Sequence, residues 1–371
     1  MNAAATLDGS LDQRQVGRIP LRNIWLLMLY ASDIARFGGR FDALIEEDVA
    51  DLPDLVGRLL SQEVERRIRR NLSRGYRHRD AVLTRVRGRI DLLVTTTERL
   101  LDRGEVACRF DELTLDTARN RFVRAALERI ARITSQDIGR RCRNLTGDLG
   151  RAGVSGVSPS RAELAKDRIS RNDAEDRFMM ALARLAFDLA LPTEEAGTTA
   201  FAEPGRDEHW VRRLFEKAVG GFYTVELIPK GWRVHPGEVL QWPVSTATEG
   251  IKEILPSMRT DIGLVAPDGH RTVIDTKFTA IVTKGWYREE SLKSAYLYQL
   301  YAYLRSQERI DQSDWPWNRA TGILLHPAIG KHFDEAVTIQ GHEIRFVTVD
   351  LSEEPAEVRG ALRKIVLQAI S

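Results

Sequence analysis

A chain of 371 residues with 55 Lys+Arg against 53 Asp+Glu and 43% hydrophobic content is long enough for two globular bodies with real cores. A net charge of only +2 excludes a uniformly basic nucleic-acid binder, so DNA affinity has to come from local patches. Two cysteines, Cys108 and Cys142, make neither a disulfide framework nor a zinc site by themselves, and the small polar opening residues show no signal peptide, which fits a cytoplasmic enzyme.

In chain order, residues 1–17 read as a disordered lead. Helices are expected over 21–36, 49–72, 116–133 and 173–191. The apolar run Ile24–Ala31 is bounded by Arg22 and Asp33 and falls far short of the ~20 residues that span a bilayer, so it predicts a buried helix and no membrane. Arginines then cluster: Arg66, Arg67, Arg69, Arg70, Arg74, Arg77, Arg79, Arg85, Arg87 and Arg89. Such a run suits phosphate or carboxylate pairing, and it equally suits a solvated helix face, since Glu63 and Glu65 precede it. Gly, Ser and Pro gather over Gly147–Pro159, the best boundary, which predicts domains at 1–155 and 156–371. Strands are expected at Tyr223–Ile228, Val239–Val244, Gly322–Leu325 and Ile344–Leu351, with a last helix over 354–369. The first domain reads as mostly helical and the second as a mixed sheet flanked by helices.

The chemistry concentrates in one predicted hairpin. Met258–Leu264 and Val273–Phe278 are apolar runs joined by the turn signal Pro267-Asp268-Gly269. Asp275 and Lys277 are two apart and share a strand face, and Asp261 falls opposite Asp275 within a residue of register. Two carboxylates and an ammonium on one patch are what metal-assisted phosphodiester hydrolysis needs. They are also what a solvated sheet face shows, but the apolar flanks (Ile262, Leu264, Val273, Ile274, Phe278) predict inner strands, where unpaired charge is costly. A helix beginning near Glu289 places Gln299 and Tyr303 one turn apart on the stripe Leu292, Tyr296, Gln299, Leu300, Tyr303, where the Gln needs a hydrogen-bond partner. Upstream, Trp210–Val219 reads as an amphipathic helix with Leu214, Phe215 and Ala218 inward, and its Glu216 is a fourth candidate for the same site.

The order Glu216, Asp261, Asp275-x-Lys277, Gln299-x-x-x-Tyr303 resembles the PD-(D/E)xK nuclease superfamily in its RecB-like variant. More specifically, the chain resembles the McrC family, the nuclease subunits of McrBC modification-dependent restriction systems. The matching segments are Ile19-Pro20-Leu21-Arg22-Asn23-Ile24 with Leu29-Tyr30-Ala31, Arg87-Gly88-Arg89-Ile90-Asp91, Phe110-Asp111-Glu112 with Asn120-Arg121, Leu255-Pro256-x-Met258-x-Thr260-Asp261-Ile262, Ile274-Asp275-Thr276-Lys277, Tyr298-Gln299-Leu300 and Gly322-Ile323-Leu324-Leu325-His326-Pro327.

The resemblance implies an α+β/α/β chain, with an N-terminal partner-binding domain followed by a restriction-endonuclease-like mixed-sheet domain. It implies Mg²⁺ held by Asp261 and Asp275, with Glu216 and the Thr276 carbonyl as further oxygens. Lys277 would act on the attacking water and the phosphate, and Gln299 and Tyr303 would orient the site. It also implies a hexameric AAA+ GTPase partner, McrB, which recognises methylated double-stranded DNA. Arg87 and Arg89, with Arg69 and Arg70, would then meet that motor or a phosphate backbone. No G-x-x-x-x-G-K-[ST] loop occurs (Gly330-Lys331-His332 is not one), so GTP hydrolysis is expected of the partner. A stand-alone RecB-like repair nuclease, a non-catalytic GTPase-activating adaptor and a structural protein with a charged surface hairpin are the other readings.

Overall fold

The computed structural model describes residues 15–16, 19–37, 52–167, 176–195, 204–283, 291–309, 311–313, 315–328 and 331–368. Most of the expected lead lies outside them, although Gln15–Val16 pairs as a strand with Ile19–Pro20. Two compact units result, residues 53–190 and residues 1–52 together with 191–371. These bounds differ from the expected division at 155/156: the middle of the chain forms one unit, and the described residues before it group with those after residue 190. The Gly147–Pro159 stretch is no linker. Helix runs to Arg151, and Leu149 and Val154 are buried.

Helix α1 (Leu21–Ala31) precedes the insertion and is buried almost all round, as its continuous apolar sequence requires. The inserted unit then follows. It holds α2 (Leu52–Arg69), β1 (Gly75–Leu83), β2 (Arg89–Ile90), α3 (Leu92–Thr97) and β3 (Val106–Thr114). It is completed by α4 (Ala118–Ile130), α5 (Gln136–Arg151), α6 (Arg161–Lys166) and α7 (Asp176–Glu195). The expected helices are present, and the sheet β1-β3-β2 is an addition to them. Residues 76–80 of β1 are all exposed, so no period-2 alternation marks this strand in the sequence. Cross-strand charge holds it instead: Arg77 faces Glu112, His78 faces Asp111 and Asp80 faces Arg109. Beneath it lies a buried ionic cluster. Asp176 lies 2.7 Å from Arg67 Nε and 2.6 Å from Arg119 Nη1, and accepts from the Ser73 hydroxyl. Arg119 also binds Asp167 at 2.8 Å. Arg67 therefore serves the fold; removing either sign would leave a buried charge unpaired.

The other unit resumes with α8 (Pro204–Leu227), β4 (Arg233–Pro236), β5 (Ile262–Val265), β6 (Arg271–Thr276) and α9 (Ser294–Ser306). It ends with β7 (Thr321–Pro327), β8 (Asp334–Ile339), β9 (His342–Val349) and α10 (Pro355–Leu367). The strands form one six-stranded mixed sheet, ordered β8-β9-β7-β6-β5-β4. The neighbours β6–β7 and β7–β9 are parallel, and the rest are antiparallel.

Helices cover both faces of this sheet. On one, Val273, Leu324, Ile344 and Phe346 pack with Leu300, Tyr303 and Leu304 of α9. Gly322 permits that approach: a Cβ there would stand 2.9 Å from Leu300 Cδ2 and 3.0 Å from Leu304 Cδ1. On the other face, α8 packs against α1 and α10. Tyr30 meets Phe222 edge-on at 5.3 Å, and the Tyr223 hydroxyl donates to Leu362 O at 2.9 Å. The expected strand Tyr223–Ile228 is thus the end of a helix. Its aromatic and β-branched residues mimic a strand locally, but Phe215, Val219, Phe222 and Tyr223 form the buried stripe of a 3.6 period. Similarly, only Val239–Leu240 of the expected 239–244 strand is extended in a pair. The helix expected from Glu289 begins at Ser294. Leu292 is exposed outside it, and Glu289 lies outside the described residues.

The α1–α8 contact is the tightest of the glycine approaches. A Cβ on Gly221 would fall 1.9 Å from Tyr30 O, with the helix backbone as the obstacle. Gly221→Ala is therefore expected to destabilise the chain by roughly 1–3 kcal/mol. Gly250→Ala, with nothing within 4 Å of its Cβ, should stay within about 0.5 kcal/mol of the parent. Urea unfolding of the two variants side by side checks this.

Candidate active site

The predicted hairpin is present and its register is fixed: Arg271 faces Val265, and Ile274 faces Ile262. One further step along that register brings Asp275 opposite Asp261. Strand β6 is interior to the sheet and Asp275 is fully buried. Thr276 continues the parallel pairing with Leu325, and Lys277 N donates to Leu325 O at 2.9 Å. Strand β7 thus holds the backbone of the Asp-x-Lys segment along its whole length.

The side chains converge. Lys277 Nζ lies 2.7 Å from Asp275 Oδ2 and donates to Gln299 Oε1 at 3.2 Å. Gln299 Nε2 donates to the Tyr303 hydroxyl at 2.6 Å, which donates onward to Arg259 O at 2.8 Å. Gln299 is exposed and not part of an apolar stripe, yet the partner its position demands is Lys277. Asp261 is anchored by Thr276, whose N–H and hydroxyl both donate to Oδ2 at 2.7 Å. The sequence suggests only the Thr276 carbonyl; its two donors are a structural addition.

Electrostatics follow from this crowding. Burial pushes the Asp275 carboxyl up to about 6; the Asp261 charge adds to the rise, and Lys277 opposes it. Glu216 on α8 is also raised, first by burial and then by Asp261, with Arg259, Arg212 and Lys277 pulling the other way. Tyr303 is raised by burial, against the hydrogen bond from Gln299. Three acids therefore share one field that favours neutralisation.

That field is the test of fit for a cation. Apart from the Lys277 ion pair, neither oxygen of buried Asp275 has a hydrogen-bond partner, an uncommon state for a buried carboxylate. An all-oxygen set of two carboxylates suits a hard divalent ion that keeps part of its water shell. Among the described residues, no three His, Cys, Asp or Glu side chains are grouped to hold a metal, so Glu216, Asp261 and Asp275 do not form a closed carboxylate cage.

Sequence reasoning gives no role to Tyr296, Lys293 or His326, which lie beside Lys277. Lys277 Nζ stands 5.1 Å from the centroid of the Tyr296 ring. His326 is visible in the Leu325-His326-Pro327 segment, but nothing local signals that it faces the site.

The predicted arginines lie in the inserted unit. Arg87 stacks over Phe110 at 4.2 Å and lies 3.7 Å from Glu112. Arg69, Arg70 and Arg89 are exposed. The same unit exposes Leu92 (70%), Leu93 (76%) and Tyr76 (76%).

Comparison with known proteins supplies a family. The family model described as "McrBC 5-methylcytosine restriction system component" matches residues 6–313. The chain belongs to this family. No curated protein matches it. Two solved structures show weak likeness. One is a half-complex from the tetradecameric assembly of Thermococcus gammatolerans McrB AAA+ hexamers with bound McrC. It is 15% identical with a TM-score of 0.44, over 94% of this chain and 76% of that one. The other is the McrBC complex of the same organism, 18% identical with a TM-score of 0.32, over 50% of this chain and 59% of that one.

The raised Asp275 pKa has a measurable sign. The folded chain keeps this proton to higher pH than the unfolded chain, so this group weakens the fold as pH rises from about 4 to about 6. A carboxyl-carbon NMR titration without divalent cation should place the Asp275 midpoint near 6. In Asp261→Asn the midpoint should move down, because a repelling charge is gone. A midpoint unmoved by that change would mean the two acids do not share a site.

Proposed function

We propose that this chain is the DNA-cutting subunit of an McrBC-type restriction system, a Mg²⁺-dependent endonuclease built on the PD-(D/E)xK plan. The observation that carries the proposal is the buried Asp275 with Lys277 Nζ at 2.7 Å, next in register to Asp261. Asp261 and Asp275 would hold the ion, with the Thr276 carbonyl as a further oxygen and Glu216 adding negative field. Bound there, it supplies Lewis acidity and neutralises charge developing on the phosphate.

The chain's own residues do the rest. Thr276 fixes one Asp261 oxygen through two hydrogen bonds and so orients the other. Asp275 holds the Lys277 ammonium at 2.7 Å, from where it would donate to the incoming water or to a non-bridging phosphate oxygen as negative charge builds. Gln299 and Tyr303 tie Lys277 to the Arg259 carbonyl; this restrains a flexible side chain whose position decides its catalytic value. The products would carry 5′-phosphate and 3′-hydroxyl ends, and one site cuts one strand.

Family membership supports a GTP-hydrolysing AAA+ motor of the McrB kind as partner, with methylated double-stranded DNA as the substrate that the motor recognises. The inserted unit is the proposed docking element. Its exposed Leu92 and Leu93, next to Arg87 and Arg89 in sequence, combine apolar area with guanidinium groups, as interface cores do.

Two experiments separate these roles. Lys277→Ala is expected to lower GTP-dependent cutting of methylated plasmid at least 10²-fold, while binding to the motor and stimulation of its GTPase persist; full cutting by this variant would refute the assignment. Leu92→Glu combined with Leu93→Glu should do the reverse, removing GTPase stimulation while the variant keeps the parent's Tm. DNA-end degradation by the chain alone, without GTP or motor, would favour the stand-alone nuclease reading.

A further inference from the structure

Lys277 is not the only ammonium at this site. Lys293, immediately before α9, places Nζ 5.4 Å from the centroid of the same Tyr296 ring over which Lys277 stands at 5.1 Å. The two cations are therefore neighbours across a single tyrosine. Their surroundings differ. Lys277 is compensated by Asp275 and Gln299. Among the described residues, no carboxylate pairs with Lys293, whereas Arg67, Arg119, Arg271 and Arg345 each meet one.

The third wall of this corner is an imidazole. His326 on β7 is buried, its ring 6.1 Å from that of Tyr296. Its Nδ1 lies 2.9 Å from Thr279 O; a carbonyl only accepts, so Nδ1 carries the proton. Burial holds the imidazole below its usual pKa, and Lys277 and Lys293 press it further down. The ring therefore stays neutral beside two ammoniums. One side of Lys277 thus offers carboxylates, and the other offers a cation without an anion.

We propose that Lys293, seated on Tyr296, binds a second backbone phosphate of the nucleic acid, adjacent on the same strand to the one that Lys277 addresses. The inference rests on the nuclease reading for its substrate. An ammonium next to another lysine, with no carboxylate paired to it among the described residues, is stabilised when a polyanion enters, and an aromatic ring fixes its stem at little electrostatic cost. With two phosphates held, the strand is located along its axis as well as at the scissile bond. The corner thereby sets register on the backbone without reading sequence.

The test is the salt dependence of duplex binding by the full chain without divalent cation, measured by fluorescence anisotropy. One lost phosphate contact reduces the slope of log K against log salt by about 0.9. Lys293→Gln should show that reduction, and Lys293→Arg should restore the parent slope. Tyr296→Leu, which removes the seat and leaves the lysine, should weaken binding with a partial loss of slope. An unchanged slope in Lys293→Gln overturns the proposal, as does a loss of slope that Lys293→Arg fails to restore. Magnesium- and GTP-dependent cutting by the parent chain with its motor is scored separately. If that cutting is absent while the slope effect holds, the nuclease reading falls and the phosphate site stands. If cutting is present and the slope is flat, the reverse applies.

Discussion

The structure turns on the cost of burying Asp275 in the middle of a sheet. A carboxylate on an interior strand is strongly disfavoured unless something positive meets it. Lys277, two residues on and on the same face, is the only immediate answer that the strand itself provides. It leaves Asp275 short of hydrogen bonds and still hard to ionise. Everything around the pair manages that residual tension. Thr276 holds Asp261 close enough to add to it, α9 brings Gln299 and Tyr303 to restrain the ammonium, and Gly322 lets α9 come near enough to do so. A folded chain would not be expected to keep such an arrangement for stability alone, because apolar residues of similar volume usually serve a core as well or better.

Charge is handled differently in the two units. In the inserted unit, the buried cluster of Arg67, Arg119, Asp167, Asp176 and Ser73 is closed, with both signs present and Asn120 bridging nearby carbonyls. That is the pattern of a structural network. Around Lys277 the arrangement differs: Asp275 lies to one side, and to the other stands Lys293, with which no carboxylate pairs among the described residues. Satisfied networks specify a fold, and unsatisfied ones reserve affinity for something that arrives later. On this criterion the arginine-rich segment is divided: Arg67 is committed inside, while Arg69 and Arg89 face solvent.

The acidic hairpin is legible in the sequence because its determinants are local. A Pro-Asp-Gly turn sets the register and a period of two sets the face, and those two features alone bring Asp261, Asp275 and Lys277 together to within one residue. Gln299 and Tyr303 follow from one helical turn. What the sequence hides depends on distant partners. Tyr223 and its neighbours have strand-like chemistry, and only packing against Tyr30 and Leu362 makes them helical. Strand β1 shows no alternation because residues 76–80 all face water. His326 and Lys293 join the site through the sheet and the start of a helix, and no spacing rule connects them. The domain boundary is hidden for the same reason. Glycine and serine mark where the chain can turn, and they do not mark which segments pack together.

The discontinuous unit carries a temporal consequence. Asn23 on α1 donates to Leu351 O and Glu353 O, partners 328 and 330 positions further on. A ribosome adding about 5–20 residues each second emits the first helix on the order of 15–60 s before the carbonyls that receive it. During that wait the inserted unit has all its residues and can fold, whereas α1 gains its partner helix α8 only once residues 204–227 are made, and its C-terminal acceptors last. The nascent chain thus passes through a stage in which the inserted unit is complete and the sheet unit is not.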